Sequence, residues 1–321
     1  MNITDKRILV TGAYGFLGSH LVEKLRAKGC SNLFLVRSKD WDLTKEDQVR
    51  RLFDTAKPQA VFHLAGLVGG IGANKAHPAQ FFYNNLMMGV LTLHYAQRAG
   101  ALLAVSAGAG CGYPEHAPLP LKETDLWSGL PQKESAPYSL AKRMLHIQSV
   151  AYWSEHKFNS IVVIPGNIYG PYDNFDLEGA HVVPALVRKF VEAVETNQPV
   201  VEVWGSGRPT RDFVYAGDVA EGMIVAAEKL QSPTLVNMSS GRETSILDLV
   251  ATLVDVTGFK GKLRWDASRP DGQSRRLFDV SRAKQELNWE PRTSLRDGLA
   301  KTVEWYRANR HTARNKMHYP G

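Results

Sequence analysis

Two side chains in the run SAPYSLAKRM have the spacing needed for proton transfer. Tyr138 and Lys142 stand four residues apart, so in a helix they lie on one face. A lysine ammonium close to a phenol favours the phenolate and lowers the tyrosine pKa. Such a tyrosine can give a proton to a carbonyl oxygen while a hydride reaches the carbonyl carbon. The Y-x-x-x-K pattern is common by chance, so its meaning depends on the surrounding elements.

A glycine-rich turn near the N-terminus supplies that context. RILVTG is a short β-rich run that ends in glycine, and GFLGSHLVEKLRAKG continues with helical periodicity. Gly12 allows a tight turn, Gly15 lets backbone approach a pyrophosphate, and Gly18 lets the helix pack on the strand. The helix N-terminus offers free N–H groups to phosphates. The pattern predicts dinucleotide binding; the alternative is a glycine turn without a ligand.

The residues after the second strand bear on the choice of dinucleotide. The run NLFLVR ends at Arg37, where NAD-binding proteins usually carry a carboxylate. An arginine there accommodates a 2′-phosphate, so we predict NADP(H) as the cofactor. The alternative is a solvated charge at a strand end. Asp42 follows and can accept a hydrogen bond from the adenine amino group.

Strand and helix patterns continue to alternate along the first half. Residues 60–66 and the run ALLAVSAG are predicted to be buried strands, and residues 78–99 a helix. The alternation predicts an α/β, Rossmann-type, doubly wound parallel sheet over residues 1–171, to which later segments return. A smaller α/β substrate lobe is predicted over residues 172–321. Its helix over residues 243–258 packs that lobe, and its tail HTARNKMHYPG lacks periodicity.

Composition excludes several classes of protein. No apolar run reaches the ~20 residues that span a bilayer, and no signal-peptide pattern opens the chain. Two cysteines cannot make a disulfide framework, so a cytoplasmic location is expected. The net charge of +7 is spread along the chain, which favours an anionic small molecule over nucleic acid. No histidine pairs with another ligand at metal-site spacing, so no metal is expected.

Several motifs together resemble the extended short-chain dehydrogenase/reductase family: the glycine triplet, HLAG, the Tyr138–Lys142 pair and PGNIYGP. A narrower set is similar to the GDP-L-fucose synthase family and covers nearly the whole chain. Its runs are VGGI, CGYP, APY…AK, NIYGPYDNF, HVVPALVRKF, WGSGRPTRDFVYAGDVA and PDG…RRLFDVSR. The resemblance implies an NADPH-dependent enzyme that epimerises and then reduces a GDP-linked 4-keto-6-deoxy sugar, and a homodimer.

The resemblance also implies where the cofactor is bound. The positions that match the family's cofactor contacts are Gly12, Tyr14, Gly15, Phe16, Leu17, Gly18, Arg37, Asp42, Leu64, Ala65, Gly66, Lys142, Pro165, Asn167, Ile168 and His181. Of these, Asn167 also suits a sugar hydroxyl of the substrate.

By the same resemblance, Cys111 and His181 form the epimerisation pair, with Tyr138 and Lys142 as the remaining catalytic residues. Carbons next to a ketone carry acidified protons, so an epimerase needs a base on one face and an acid on the other. A thiol and an imidazole titrate near neutral pH and suit both tasks. Taken singly, Cys111 is a small buried hydrophobe and His181 a helix-cap histidine.

One position departs from the family pattern. A Ser or Thr usually stands four residues before the tyrosine of the C-x-Y-P run, and here it is Ala109. Ser106 is a poor geometric substitute. Losing one hydrogen bond to a reacting oxygen costs a few kcal/mol at the transition state. Three explanations stay open: an engineered change, a subgroup in which Tyr138 alone or a water serves, and a relative with a weakened reductase step.

Positive and aromatic residues gather in the second half. Guanidinium groups suit bidentate phosphate binding, a tryptophan face suits a purine, and a carboxylate suits guanine N–H groups or a ribose. The predicted substrate-binding residues are Asn167, Lys189, Trp204, Arg211, Asp271 and Arg276. Each charge taken singly also fits a solvated surface residue.

Two other functions remain at this point. One is an epimerase-only or 4-reductase-only enzyme acting on another GDP sugar, a heptose or a deoxyhexose, because DLWSGLP departs from the fucose pattern. The other is an NADP-binding sensor protein without catalysis, against which the intact Tyr138 and Lys142 argue.

Overall fold

The computed structural model describes residues 1–177, 179–269 and 271–313. Most of the predicted C-terminal tail lies outside the described residues, and so does the proline of the PDG run. Within the described ranges, no helix is long and apolar enough to cross a membrane.

Twelve strands are present: β1 (Ile8–Thr11), β2 (Leu33–Leu35), β3 (Ala60–His63), β4 (Leu103–Ala107), β5 (Asn159–Pro165), β6 (Asn167–Tyr169), β7 (Val200–Trp204), β8 (Thr210–Arg211), β9 (Phe213–Tyr215), β10 (Leu235–Met238), β11 (Thr244–Ser245) and β12 (Lys262–Asp266). Ten α-helices are α1 (Phe16–Ala27), α2 (Glu46–Ala56), α3 (Ile71–Ala76), α4 (Pro78–Arg98), α5 (Ala136–His156), α6 (Val182–Glu195), α7 (Ala216–Lys229), α8 (Ile246–Thr257), α9 (Ser281–Leu287) and α10 (Leu295–Asn309). These counts refer to the described residues.

A six-stranded parallel sheet forms the centre of the first lobe. Its order is β10-β5-β4-β3-β1-β2, so the chain winds outward in both directions from the middle. The four residues of β1 are all buried, as expected for a parallel strand covered on both faces. Helices α1, α7 and α9 cover one face, and α2, α4 and α5 contribute to the other. The predicted Rossmann-type α/β fold is confirmed.

The smaller lobe has its own apolar core. Helices α6, α8 and α10 pack together with β7 around buried aromatic and aliphatic side chains, among them Phe190, Leu253 and Tyr306. The predicted helix over residues 243–258 is α8; Ser245 caps its start and Gly258, at φ +73°, ends it. Strands β7 and β12 pair in parallel within this half of the chain, and β9 pairs in parallel with β6, which precedes residue 171.

Later segments return to the first sheet. Strand β10 pairs in parallel with β5, and α7 packs against α1. The lobe boundary at residue 171 stays a prediction, but these contacts make the first lobe discontinuous in sequence.

Candidate active site

The glycines at the turn between β1 and α1 stand where a side chain would clash. Gly12 has φ +68°, and a Cβ added there would lie 2.7 Å from the backbone of Leu64 and Ala65. A Cβ on Gly18 would lie 2.0 Å from the Gly12 carbonyl oxygen. The start of α1 carries no acidic side chain and no side-chain cap, so its N–H groups are available to an anion. These residues fit the pyrophosphate of a dinucleotide.

Arg37 follows β2 and places its guanidinium 4.2 Å from the centre of the Tyr14 ring. Both side chains are exposed, so the guanidinium remains able to meet a phosphate. Asp42 is engaged locally, because one carboxylate oxygen accepts hydrogen bonds from the Thr44 backbone N–H and hydroxyl. The strand ends at Leu35, two residues before the sequence-based limit.

The other predicted cofactor residues lie at the same edge of the sheet. Leu64, Ala65 and Gly66 follow β3, and the Thr11 hydroxyl accepts a hydrogen bond from the Ala65 N–H at 3.3 Å. Pro165 ends β5, and Asn167 and Ile168 form β6. The Asn167 side-chain N–H₂ group is buried and has no partner among the described residues. It therefore offers a hydrogen bond to a bound molecule.

The Tyr138–Lys142 pair lies in the first two turns of α5. Lys142 is buried, and its Nζ lies 3.5 Å from the position a Cβ on Gly66 would take, which brings α5 to the β3 loop. The Tyr138 ring meets Phe81 edge to face at 6.2 Å between centres. The structure thus brings the pair to the edge where the glycine turn lies.

The pKa values of this pair differ from the expectation in one respect. Burial lowers the pKa of Lys142 to about 8, and the Cys111 thiolate acts in the opposite direction. Burial and, secondly, the Cys111 thiolate raise the pKa of Tyr138 above its ordinary value. The expected lowering of the tyrosine pKa is wrong, because desolvation of the phenol dominates. A phenol that keeps its proton at neutral pH suits an acid in catalysis.

Cys111 lies in a 3-10 turn, Gly110–Gly112, that follows β4. Its side chain is half-buried, and the Ser139 hydroxyl lies 3.3 Å from its Sγ. The thiolate affects the pKa of Tyr138 and Lys142 on α5, and also that of Arg276. Cys111 therefore lies close enough to the predicted reductase pair and to a predicted phosphate-binding residue to affect their pKa values.

His181 is the residue before α6 and caps it without a side-chain hydrogen bond. More than a third of its surface is accessible, yet protein atoms crowd around it, and this desolvation lowers its pKa. A neutral imidazole at neutral pH can accept a proton. The position of His181 at the start of α6 confirms the predicted helix start. The catalytic role of His181 stays a prediction.

Ala109 directly precedes the Cys111 turn in extended backbone, φ −143° and ψ 130°. It lines a cavity of about 10 Å³ together with Ser139 and Lys142. Ser106 is fully buried within β4, and its hydroxyl has no partner among the described residues. Ser106 therefore cannot replace the missing hydroxyl without a change in the strand.

Two cationic side chains contact Trp204, the predicted base-stacking residue. The Lys189 ammonium and the Arg269 guanidinium each lie 4.8 Å from the centre of the Trp204 ring, which is half exposed. Lys189 also donates to the Glu202 carbonyl at 3.1 Å. A purine that stacks on Trp204 must therefore share or displace the contact with Arg269.

The remaining substrate residues form a second basic group. Arg211 donates to the carbonyls of Thr210 and Gln273, and burial, followed by the charge of Arg276, lowers its pKa. Burial also lowers the pKa of Arg276. Two guanidiniums that destabilise one another favour an anion between them. Asp271 is occupied by Ser206, whose N–H and hydroxyl it accepts at 2.6 and 2.7 Å.

Three contacts were not foreseen from the sequence. Ser139 contacts Cys111, Arg143 donates to the Gly112 carbonyl, and Arg269 contacts the Trp204 ring. Each contact joins residues that are distant in sequence. The only signal in the sequence was the position of Ser139 next to Tyr138.

Among the described residues, no cluster of three or more His, Cys, Asp or Glu side chains could hold a metal ion.

Comparisons with known proteins agree with this geometry. A model of the "NAD dependent epimerase/dehydratase family" matches residues 8–239. The chain is 39% identical to a putative GDP-L-fucose synthase 2 of Arabidopsis thaliana, covering 94% of this chain and 92% of that protein. A GDP-L-fucose synthetase of Naegleria fowleri bound to NADP superposes with a TM-score of 0.91, at 29% identity over 97% of this chain and 95% of that one. A GDP-6-OMe-4-keto-L-xylo-heptose reductase of C. jejuni gives 0.87, at 30% identity over 96% and 99%.

The family match spans well over half of the chain, and the relatives match more than nine-tenths of it. The resemblance found in the motifs is therefore confirmed. The fold, the glycine turn and the Tyr138–Lys142 pair agree with these similarities. The chain belongs to the NAD dependent epimerase/dehydratase family and is similar to its GDP-L-fucose synthases.

Proposed function

We propose that the chain is an NADPH-dependent epimerase and reductase of a GDP-linked 4-keto-6-deoxy sugar. The observation that carries the proposal is the position of Cys111, whose sulfur lies 3.3 Å from the Ser139 hydroxyl on α5, the helix that also carries Tyr138 and Lys142. A thiol suited to epimerisation is thus placed beside the helix that carries the acid for reduction. The similarity to GDP-L-fucose synthases supports the same activity.

The residues around the glycine turn fit NADPH. The N-terminus of α1 would hold the pyrophosphate and Arg37 the 2′-phosphate, and Asn167 would donate from its N–H₂ group, which has no partner among the described residues. When bound, NADPH supplies the hydride that reduces the ketone. The NADP-bound Naegleria fowleri structure supports this choice of cofactor.

The chain's own residues move protons in two stages. Cys111 and His181 act first: one removes the acidified proton next to the ketone, and the other returns a proton to the opposite face. Tyr138 then donates its proton to the carbonyl oxygen, and the Lys142 ammonium stabilises the charge that remains. Arg211 and Arg276 hold the diphosphate, while Lys189, Trp204 and Asp271 contact the rest of the nucleotide.

A second candidate function is an enzyme that performs one of the two steps. Ala109 removes a donor to the reacting oxygen, which favours an epimerase with slow reduction. The similarity to a C. jejuni heptose reductase favours reduction of a longer sugar.

The experiment that tests the proposal separates both steps. The purified chain is incubated in D₂O with GDP-4-keto-6-deoxymannose or a GDP-4-keto heptose, with and without NADPH. Deuterium in the sugar without NADPH, together with NADPH oxidation, is the expected result. Exchange alone indicates an epimerase, and oxidation alone a reductase. If neither substrate reacts, the proposed function is wrong.

The cofactor assignment predicts an effect of Arg37→Ala. Loss of a charge-assisted hydrogen bond to the 2′-phosphate is expected to raise the KM for NADPH by about tenfold to a hundredfold. The KM for NADH is expected to stay within about twofold. Steady-state kinetics with both cofactors measure this. The exposed neighbour Lys39→Ala serves as control; equal losses with NADPH and NADH would contradict the assignment.

The pKa of Lys142 predicts a pH limit. The ammonium form dominates below a pKa of about 8 and is lost above it. We expect kcat/KM for reduction to be level at neutral pH and to fall as pH rises past 8, approaching tenfold per unit. A profile of NADPH oxidation from pH 6 to 10 measures this. A profile level up to pH 10 would show that the ammonium is not needed.

Ala109→Ser tests the missing hydroxyl. An added donor near the reacting oxygen is expected to increase the rate of hydride transfer by about tenfold. The adjoining cavity gives space for the added oxygen. Single-turnover NADPH oxidation measures the rate, and Ser106→Ala, which alters a hydroxyl in the same segment, is expected to leave it unchanged. No gain in Ala109→Ser would favour a site in which Tyr138 acts alone.

We also propose a cytoplasmic homodimer. Helices α4 and α5 pack against each other and leave Phe82, Tyr83, Ile147 and Val150 exposed, which supports pairing through these helices. Light scattering of the purified chain distinguishes a dimer from a monomer. Two cysteines cannot make a disulfide framework, which is the basis for proposing this location.

A further inference from the structure

We propose that Ser139 and Arg143 are positioning residues that hold Cys111 for epimerisation. The inference rests on the proposed function and assigns roles to two residues of α5 that do not themselves contact the sugar. Ser139 is fully buried and Arg143 is 4% exposed, and both contact the Cys111 turn, so we assign them an effect through the cysteine.

Ser139 contacts Cys111 at two atoms. Its hydroxyl oxygen lies 3.3 Å from the sulfur and 3.0 Å from the Cys111 carbonyl oxygen. A hydroxyl carries one hydrogen and two lone pairs, so it can donate to only one of these atoms at a time. Rotation about the C–O bond of Ser139 therefore selects between two hydrogen-bonded arrangements.

The two arrangements present the cysteine to the substrate in different ways. When the Ser139 hydroxyl donates to the carbonyl, its oxygen can accept the S–H, and the thiol points away from substrate. When the hydroxyl donates to the sulfur, the S–H of a thiol, or the free lone pair of a thiolate, can face the substrate. An epimerase needs its cysteine in both protonation states during a turnover, and Ser139 can pair with each.

Arg143 fixes the turn that carries the cysteine. It is 4% exposed, and it donates to the Gly112 carbonyl at 2.6 Å and to the Gly129 carbonyl at 2.9 Å. Its guanidinium also lies 5.4 Å from the Trp127 ring. The forked guanidinium of Arg143 thus connects the Cys111 turn with the loop near residue 129. A lysine ammonium cannot reproduce this geometry. Charged or titratable neighbours of the thiol are Tyr138, Lys142 and Arg143 on α5, and Arg276.

The test compares Ser139→Ala with Ser149→Ala, a buried serine of the same helix that bonds to Leu145 and Ser160 and not to Cys111. Solvent deuterium exchange into GDP-4-keto-6-deoxymannose measures epimerisation. Oxidation of the 4-hydroxy product by NADP⁺ measures hydride transfer alone. Ser139→Ala is expected to slow exchange by about tenfold with hydride transfer changed less than about twofold. Ser139→Thr, which keeps the hydroxyl, is expected to recover exchange.

Arg143→Lys provides a second variant, expected to slow exchange in the same selective way. Equal loss of exchange and hydride transfer, or exchange in Ser139→Ala as fast as in Ser149→Ala, would overturn the inference while leaving the proposed function intact. A wild-type chain without exchange would instead overturn the proposed epimerisation, and this inference with it.

Discussion

Cys111→Ala is expected to abolish solvent deuterium exchange into the keto sugar while NADPH still binds. The thiol is the predicted acid or base on one face of the sugar, and a group in this role contributes about 10²–10⁴-fold. The cysteine is half-buried in the turn after β4, and its sulfur contacts Ser139, the neighbour of Tyr138 on α5. Mass spectrometry of the sugar after incubation in D₂O measures the loss.

Cys30→Ala is the matched control for this experiment. The second thiol is 2% exposed in the core beside α1, and its sulfur donates to the Ile3 carbonyl at 3.8 Å. Exchange at the wild-type rate is expected for this variant. If Cys111→Ala also exchanges at the wild-type rate, the cysteine has no part in epimerisation, and the two-stage scheme must be replaced.

Tyr138→Phe is expected to reduce hydride transfer by about 10²–10⁴-fold, because the carbonyl oxygen loses its proton donor. The aromatic ring and its contact with Phe81 are retained, so the fold is expected to be stable. Deuterium exchange by Cys111 and His181 is expected to continue. Single-turnover NADPH oxidation and deuterium exchange, measured on one preparation, separate the two effects.

Tyr152→Phe tests whether any tyrosine of α5 would give the same result. The Tyr152 hydroxyl bonds to His94 at 2.8 Å, away from the glycine turn. Hydride transfer at the wild-type rate is expected. A Tyr138→Phe variant that also reduces the ketone at the wild-type rate would exclude the phenol as the acid.

Local patterns predicted the fold and the positions of the glycine turn and the Tyr138–Lys142 pair. The glycine spacing, the alternation of buried strands with helices, and the four-residue step from Tyr138 to Lys142 are properties of short segments. Parallel strands bring their carboxyl ends to one edge, so these segments met where the pattern placed them. The positions of Arg37 and Asn167 follow from the same rule.

The sequence alone did not predict contacts between distant segments. Arg143 reaches the Gly112 and Gly129 carbonyls only because the turn after β4 packs on α5. The Arg269–Trp204 contact depends on how the loop after β12 approaches the end of β7. The direction of the Tyr138 pKa was predicted wrongly because a sequence shows the nearby lysine but not the loss of water around the phenol.

The edge position of β10 bears on how the protein is made. A ribosome that has released only the first 171 residues has delivered five of the six strands, and β5 then presents an unpaired apolar edge. The segment that covers this edge is synthesised some 64 residues later, after most of the strands and the first helix of the smaller lobe. Until β10 is synthesised, the exposed edge of β5 therefore favours association between nascent chains.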